Sequence, residues 1–176
     1  MKCIPTQVEG AFIIKPTKFG DDRGFFSPMF EDKLFQKHNL CSSFSRVNCS
    51  LSTQKGTIRG LHFQLPPFQE TKMLRVLRGA VWDVALDLRK DSPTYKQWTG
   101  VTLTPDDYSL FYIPAGCAHG FQTLEPNTEV LYLCNSYYNV EHERGIRWDD
   151  PHFSIPWPLP PSEISDKDKH HPNFLD

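Results

Sequence analysis

The stretch Val81-Trp82-Asp83-Val84-Ala85-Leu86-Asp87-Leu88 decides the fold class. Trp82, Val84, Leu86 and Leu88 alternate with Val81, Asp83, Ala85 and Asp87. A period of two places the two sets on opposite faces of an extended strand. Working outward, residues 71–77 and 99–103 are short β-prone runs. Residues 109–113 and 129–134 are apolar or aromatic enough for core strands. Turn signals fall at 20–24, at Arg78-Gly79, at 104–107 and at Pro126-Asn127. Aromatic residues make up 13% of the chain, which suits strands better than helices. The spacing of turns predicts an all-β antiparallel sandwich or barrel. Helices are few. Residues 31–38 carry Leu34 and Phe35 on one side and predict two turns. The proline-rich segment 148–161 predicts ordered coil wrapped over a sheet, because proline breaks a helix interior. Ser165 is an N-cap candidate for a short final turn or helix.

The chain has 176 residues, which predicts one domain spanning 1–176 with a core large enough to need no staples. A net charge of −2 argues against a protein that coats nucleic acid, but leaves room for a local cationic pocket. The five cysteines are odd in number and widely spaced, and no C-x-x-C occurs. That pattern speaks against a disulfide framework or zinc knuckle and for reduced thiols in the cytoplasm. No apolar run follows a basic start, and none is long enough to span a bilayer, so neither export nor a membrane partner is expected.

The chemistry concentrates in Gly56-Thr57-Ile58-Arg59-Gly60-Leu61-His62-Phe63-Gln64, with Lys72 ten residues past the histidine. His62 can act as a base near neutral pH if an acid fixes its tautomer. Asp168 is the candidate partner, although spacing alone would admit several acids. Lys72 could hold the oxygen of an enolate, since a fixed donor at developing charge is often the largest catalytic contribution. It could equally be a solvated lysine on a strand edge. Arg59 and Arg23 each precede a glycine, a setting that suits phosphate forks as well as exposed turns. Tyr132 lies in the apolar run 130–134, as either a core tyrosine or an acid facing the histidine across a substrate.

His119, in 113–121, together with His62 invites a metal reading. His62-Phe63-Gln64 lacks the His-x-His pair of a metal-binding cupin, and no carboxylate obviously converges on it. Cys117 near His119 reads as a packed thiol rather than a nucleophile. Glu143, Asp149 and Asp150 read as solvated turn acids. No dinucleotide glycine fingerprint is present.

Taken together, these stretches resemble the dTDP-4-dehydrorhamnose 3,5-epimerase family. The matching pieces run in family order: Asp22-Arg23-Gly24, Asn48-x-Ser50, 56–64, Lys72, Gly79-x-x-x-Asp83-Val84, Asp87-x-Arg89, Ser92-Pro93-Thr94, 113–121, Tyr132, Gly145-Ile146-x-Trp148-Asp149-Asp150-Pro151, Trp157-Pro158 and Ser165-x-Lys167-Asp168. The resemblance implies a cupin-type double-stranded β-helix, or jelly roll, with a few short helices. It implies a homodimer, no metal and no cofactor, and a nucleotide-linked 4-keto-6-deoxy sugar as substrate. His62 would be the base paired with Asp168, Lys72 would face the C4 oxygen and Tyr132 would be the acid. The substrate-binding set it implies is Arg23, Phe26, Asn48, Arg59, His119, Tyr138 and Glu143, with Arg23 reaching in from a partner subunit.

Two places depart from the family. Pro28 stands where glutamate is usual, and Arg46-Val47 precedes Asn48 where glutamine and aspartate are common. These departures bear on the nucleotide, so a CDP- or GDP-linked substrate or a C3 or C5 mono-epimerase is an alternative. A ketoisomerase would not need Tyr132. A non-catalytic sugar-binding jelly roll would not need His62, Lys72 and Asp168 together.

Overall fold

The computed structural model describes residues 1–175. In chain order its strands are β1 (Lys2–Pro5), β2 (Phe12–Lys15), β3 (Phe19–Asp21), β4 (Gly24–Phe26), β5 (Arg46–Ser52), β6 (Thr57–Gln64), β7 (Lys72–Arg78), β8 (Val81–Asp87), β9 (Trp98–Leu103), β10 (Leu110–Ile113), β11 (Cys117–Thr123), β12 (Thr128–Cys134), β13 (Glu143–Gly145) and β14 (Glu163–Ile164). The helices are α1 (Asp32–Lys37) and α2 (Asp166–Lys169). The first sheet runs β1-β2-β10-β7-β12-β5. The second runs β13-β6-β11-β8-β9, with β14 lying parallel to β6. The other pairings are antiparallel. A separate β3–β4 hairpin stands apart from both sheets. This is the all-β architecture that the turn spacing predicts and the cupin-type jelly roll that the family resemblance implies.

The main core joins the two sheets. Leu74, Val76, Phe111, Ile113 and Val130 of the first sheet pack with Val81, Ala85, Val101, Leu103 and Phe121 of the second. The alternation in β8 therefore has two buried faces. Val81, Ala85 and the two aspartates face the first sheet. Trp82, Val84 and Leu86 belong to a second cluster, covered by Ile146, Phe153, Ile155 and Trp157 of the C-terminal coil. A third cluster seals the other side of the first sheet, where Phe35 of α1 packs on Ile14, Met73, Leu110 and Tyr112. Residues 148–161 form no regular helix or strand, as their prolines dictate. Trp157 Nε1 ties this coil to itself by donating to the Trp148 carbonyl at 2.8 Å. The five cysteines are unpaired, and no helix among the described residues is long and apolar enough to cross a membrane.

Two glycines shape the second sheet where it meets the site. Gly60 has φ of 119°, in the left-handed region, and a Cβ there would meet Gly120 Cα at 2.5 Å. The β6–β11 register shifts at this crossing, between His119 and Phe121. Gly145 on β13 leaves the space that the His171 ring occupies.

Candidate active site

A cavity of about 370 Å³ opens between the two sheets. The second sheet supplies Arg59 and His62 from β6 and His119 and Phe121 from β11. The first sheet supplies Lys72 and Leu74 from β7 and Tyr132 from β12. Ser165, Lys167 and Asp168 close one side from the α2 segment. The imidazoles and the Lys72–Tyr132 pair thus come from opposite walls.

His62 Nε2 and Asp168 Oδ1 are 2.6 Å apart, and Asp168 Oδ2 accepts from the Gly60 N–H at 3.0 Å. Ser165 holds Asp168 in place: its Oγ accepts the Asp168 N–H at 3.1 Å and caps α2, as its position predicts. Burial raises the Asp168 carboxyl pKa. The hydrogen bond and charge of His62, with the Gly60 N–H, outweigh burial and leave it below the ordinary value. The carboxylate is therefore ionised at neutral pH and able to stabilise an imidazolium.

His119 forms a second pair. Its Nε2 is 2.8 Å from Asp83 Oδ1, and Asp83 is fully buried. Burial lowers the His119 pKa, the attraction of Asp83 opposes that, and the nearby charges of Lys72 and His62 add to the lowering. The net depression favours the neutral imidazole. In register, His119 lies directly across from His62.

Lys72 is nearly buried, and its ammonium lies 3.2 Å from Glu70 Oε1. Tyr132 is half-buried. Burial raises its pKa and keeps the phenol protonated, as an acid requires. Arg59 is braced away from the imidazoles, its Nε donating to Ser52 Oγ at 3.0 Å and its Nη2 to the Leu51 carbonyl at 3.1 Å. Asn48 sits beside Tyr132 on β5, with a buried Nδ2 that has no partner. Tyr138 and Glu143 do not line the cavity and connect to it through Lys167, which does. The Tyr138 hydroxyl donates to Glu143 Oε2 at 2.7 Å, and Lys167 Nζ donates to Glu143 Oε1 at 2.5 Å. Arg23 and Phe26 lie outside the cavity, on the exposed β3–β4 hairpin, where Arg23 pairs with Asp21.

Two expectations about acids need correction. Glu143 is engaged by Lys167 and Tyr138 rather than solvated. Asp150 is buried, accepting from the backbone N–H of His152 at 2.8 Å and of Phe174 at 2.5 Å. Asp149 is the exposed turn acid expected, ion-paired with its neighbour Arg147. Glu143 and Asp150 gain Lys167 and Phe174 as partners because the C-terminal segment folds back on the sheet, which local sequence does not reveal. Cys117 is buried and its thiol is pushed up to about 12, mainly by burial, so it is a packed residue.

Sequence reasoning gave no role to Asp83, Glu70, Lys167 or His171. His171 Nε2 lies 3.4 Å from Asp168 Oδ1, and its ring meets the His62 ring edge to face at 5.6 Å. The donor atoms of His62, Asp168 and His171 lie within 4.8 Å of one another, the one such cluster among the described residues. Its 2.6 Å His62–Asp168 separation is that of a short, charge-assisted hydrogen bond. Donors around a tetrahedral zinc with bonds of ~2.0–2.1 Å would stand farther apart, so the arrangement fits a hydrogen-bonded dyad better than a metal centre.

A family profile described as dTDP-4-dehydrorhamnose 3,5-epimerase matches residues 5–176. A curated relative of that name from Sinorhizobium fredii is 44% identical over 165 residues, covering 93% of this chain and 85% of its own. The crystal structure of a Bacillus anthracis dTDP-4-dehydrorhamnose 3,5-epimerase, with TDP and PPi bound, matches with a TM-score of 0.93 and 44% identity over 98% of this chain and 99% of that one. A Legionella pneumophila dTDP-6-deoxy-D-glucose-3,5-epimerase in complex with dTDP-4-keto-L-rhamnose matches with a TM-score of 0.90 and 40% identity over 98% and 92%. The sequence match, the shared fold and the paired imidazoles converge on one assignment: this chain belongs to the dTDP-4-dehydrorhamnose 3,5-epimerase family.

Proposed function

We propose that this protein inverts C3 and C5 of a nucleotide-linked 4-keto-6-deoxy sugar, converting dTDP-4-dehydro-6-deoxyglucose to dTDP-4-dehydrorhamnose. The C4 ketone acidifies the protons on both neighbouring carbons. His62, with its tautomer set by Asp168, takes the proton through the ring nitrogen it turns to the substrate. The electrons move into the ring as an enolate, and Lys72 holds the resulting negative oxygen. Tyr132 returns a proton to the opposite face, which inverts the carbon. The reading rests most heavily on one observation: His62 and the Lys72–Tyr132 pair face a shared cavity from opposite sheets. A base and an acid on opposite walls suit inversion, whereas a ketoisomerase would gain nothing from the second wall.

Arg59 receives phosphate oxygens, and His119, whose Nε2–H is committed to Asp83, accepts from a sugar hydroxyl through its other ring nitrogen. Asn48, Tyr138 and Glu143 serve the nucleotide end. Arg23 and Phe26 act in trans within a homodimer. This is supported by the exposed Phe19, Phe25 and Phe26 of the β3–β4 hairpin and the exposed Val47 and Leu51 of edge strand β5, an apolar surface that a second copy would cover.

The test is solvent exchange in D₂O with dTDP-4-keto-6-deoxyglucose and its CDP and GDP counterparts. Label entering both C3 and C5 of the dTDP sugar, with a change of configuration, is the expected result. Label at one carbon would reduce the activity to mono-epimerisation, and label in no nucleotide sugar would reject catalysis. Tyr132→Phe should slow inversion while leaving some proton exchange. Normal epimerisation by that variant would remove Tyr132 from the acid's role.

A further inference from the structure

Lys72 does not face the cavity as an isolated cation. Glu70, on the β6–β7 connection, places Oε1 3.2 Å from Lys72 Nζ while its Oε2 accepts from Arg46 Nη2 at 2.5 Å. Arg46 is held by a second bond, its Nε donating to the Ser136 carbonyl at 2.7 Å. The register explains the convergence. Cys134 of β12 pairs with Arg46 on β5 to one side and with Lys72 on β7 to the other. The two cations therefore flank one strand, and the carboxylate bridges them. Side-chain exposure is 24% for Arg46 and 10% each for Glu70 and Lys72, so water screens the group only weakly. Neither Arg46 nor Glu70 lines the cavity.

An ammonium that must hold an enolate oxygen is weakened by a carboxylate in contact with it. It is also poorly placed if nothing anchors it. Two cations around one carboxylate meet both demands, because the carboxylate fixes the ammonium and one positive charge remains. Resting on the epimerase reading of Lys72, we infer that Arg46 and Glu70 are a positioning and charge-balancing pair for the oxyanion site: Glu70 anchors Lys72, and Arg46 offsets the carboxylate so that positive charge reaches the substrate's C4 oxygen.

The same pair acts on the acid. Burial is the main cause of the raised Tyr132 pKa, while Arg46 and Arg59 lower it and Glu70 raises it. The other groups facing Lys72 carry little charge at neutral pH. The Cys134 thiol is pushed up to about 11, chiefly by burial, and the His119 imidazole is depressed by burial. The pair also accounts for the family departure at position 46. Its guanidinium is spent on Glu70 and the Ser136 carbonyl, so the change from the common glutamine reads as an electrostatic device behind the catalytic lysine.

The experiment compares Arg46→Gln, Glu70→Gln and the double variant by steady-state kinetics and pH profile on dTDP-4-keto-6-deoxyglucose. Arg46→Gln should lower kcat about tenfold with KM within about twofold, the signature of an interaction made in the transition state. Removing that cation should move the alkaline limb up by about half a pH unit, and Glu70→Gln should move it down by a similar amount. The double variant should return it close to wild type. A phenol titration at 295 nm, taken as the difference from Tyr132→Phe, should show the same opposed shifts without turnover. Limbs and titrations that stay at the wild-type position while only thermal stability falls would overturn the proposal in favour of a structural staple. A rise in KM alone for Arg46→Gln would overturn it in favour of a nucleotide contact, as would shifts of one sign in both variants. A wild-type protein that exchanges no label sinks the epimerase reading itself, and the phenol titration then still decides the electrostatics of the pair.

Discussion

Two histidine–aspartate pairs, whose imidazoles sit opposite each other on β6 and β11, are built from the same chemistry and put to different ends. The His62 ring is 29% exposed to the cavity, and Asp168 uses both oxygens, one on His62 and one on the Gly60 N–H. The His119 ring is 10% exposed, and Asp83 is fully buried with Oδ2 lacking a partner. An imidazole that must change charge during turnover needs contact with substrate and a carboxylate already satisfied for the charged state. One that stays neutral and fixed can be buried, at the cost of an underused carboxylate. Partner identity is shared; what separates base from scaffold is access and the supply of hydrogen bonds.

The largest expected break in the comparison is at the exposed pair. His62→Ala should lower epimerisation by about 10³- to 10⁴-fold and abolish C3 and C5 exchange, with little change in the melting temperature. Asp168→Asn should follow, with about 10²- to 10³-fold lost, because the amide no longer fixes the tautomer or stabilises the imidazolium. Deuterium exchange and kcat measure both. At the buried pair the burden should shift to stability. His119→Asn leaves Asp83 poorly partnered and should cost about 1–3 kcal/mol in denaturant unfolding, with activity falling less than in either dyad variant. Equal kinetic losses from His62 and His119 variants would erase the distinction.

The smallest effect sharpens it. The His119 pKa is lowered in the fold, so the unfolded chain binds the proton first as pH drops. Its contribution to stability is complete above about pH 6.5, the ordinary histidine value, and is lost as pH falls from there through the folded value. His171, also lowered by burial and by the neighbouring His62 charge, acts in the same direction. Asp168 acts with the same sign in a more acidic window. Its depressed carboxyl contributes above the ordinary carboxylate value of about 3.9 and loses that contribution only as pH falls through the folded value. Melting curves between pH 8 and 5 should decline for the wild type and decline less steeply for His119→Asn. Parallel curves would place the titration elsewhere.

Much of this was legible in the chain. The alternation of 81–88 announced a strand, and the ordered motifs announced the family and brought His62, Lys72, His119, Tyr132 and Asp168 to attention. Strand limits shifted by about one residue, as at Lys72–Arg78, because termini are set by pairing partners. The acids were read least well. Asp150 and Glu143 look like turn residues, yet both are engaged by residues 24 positions later, because the C-terminal segment returns across the second sheet. Asp83 read as the polar half of an alternating strand; only the closeness of β11 makes it the partner of His119.

The sequence by itself determined which strands could form and which side chains with usable chemistry were available. Those are properties of residue type and short-range period, which each segment carries wherever it lies. Only the tertiary structure decided that Asp168 meets a histidine 106 positions earlier, that Arg46 and Lys72 share Glu70 across β12, and that base and acid come from opposing sheets. Hydrogen bonds and charge balance of this kind depend on distances of a few ångströms between remote segments, and those distances exist only once the two sheets have closed on a common core.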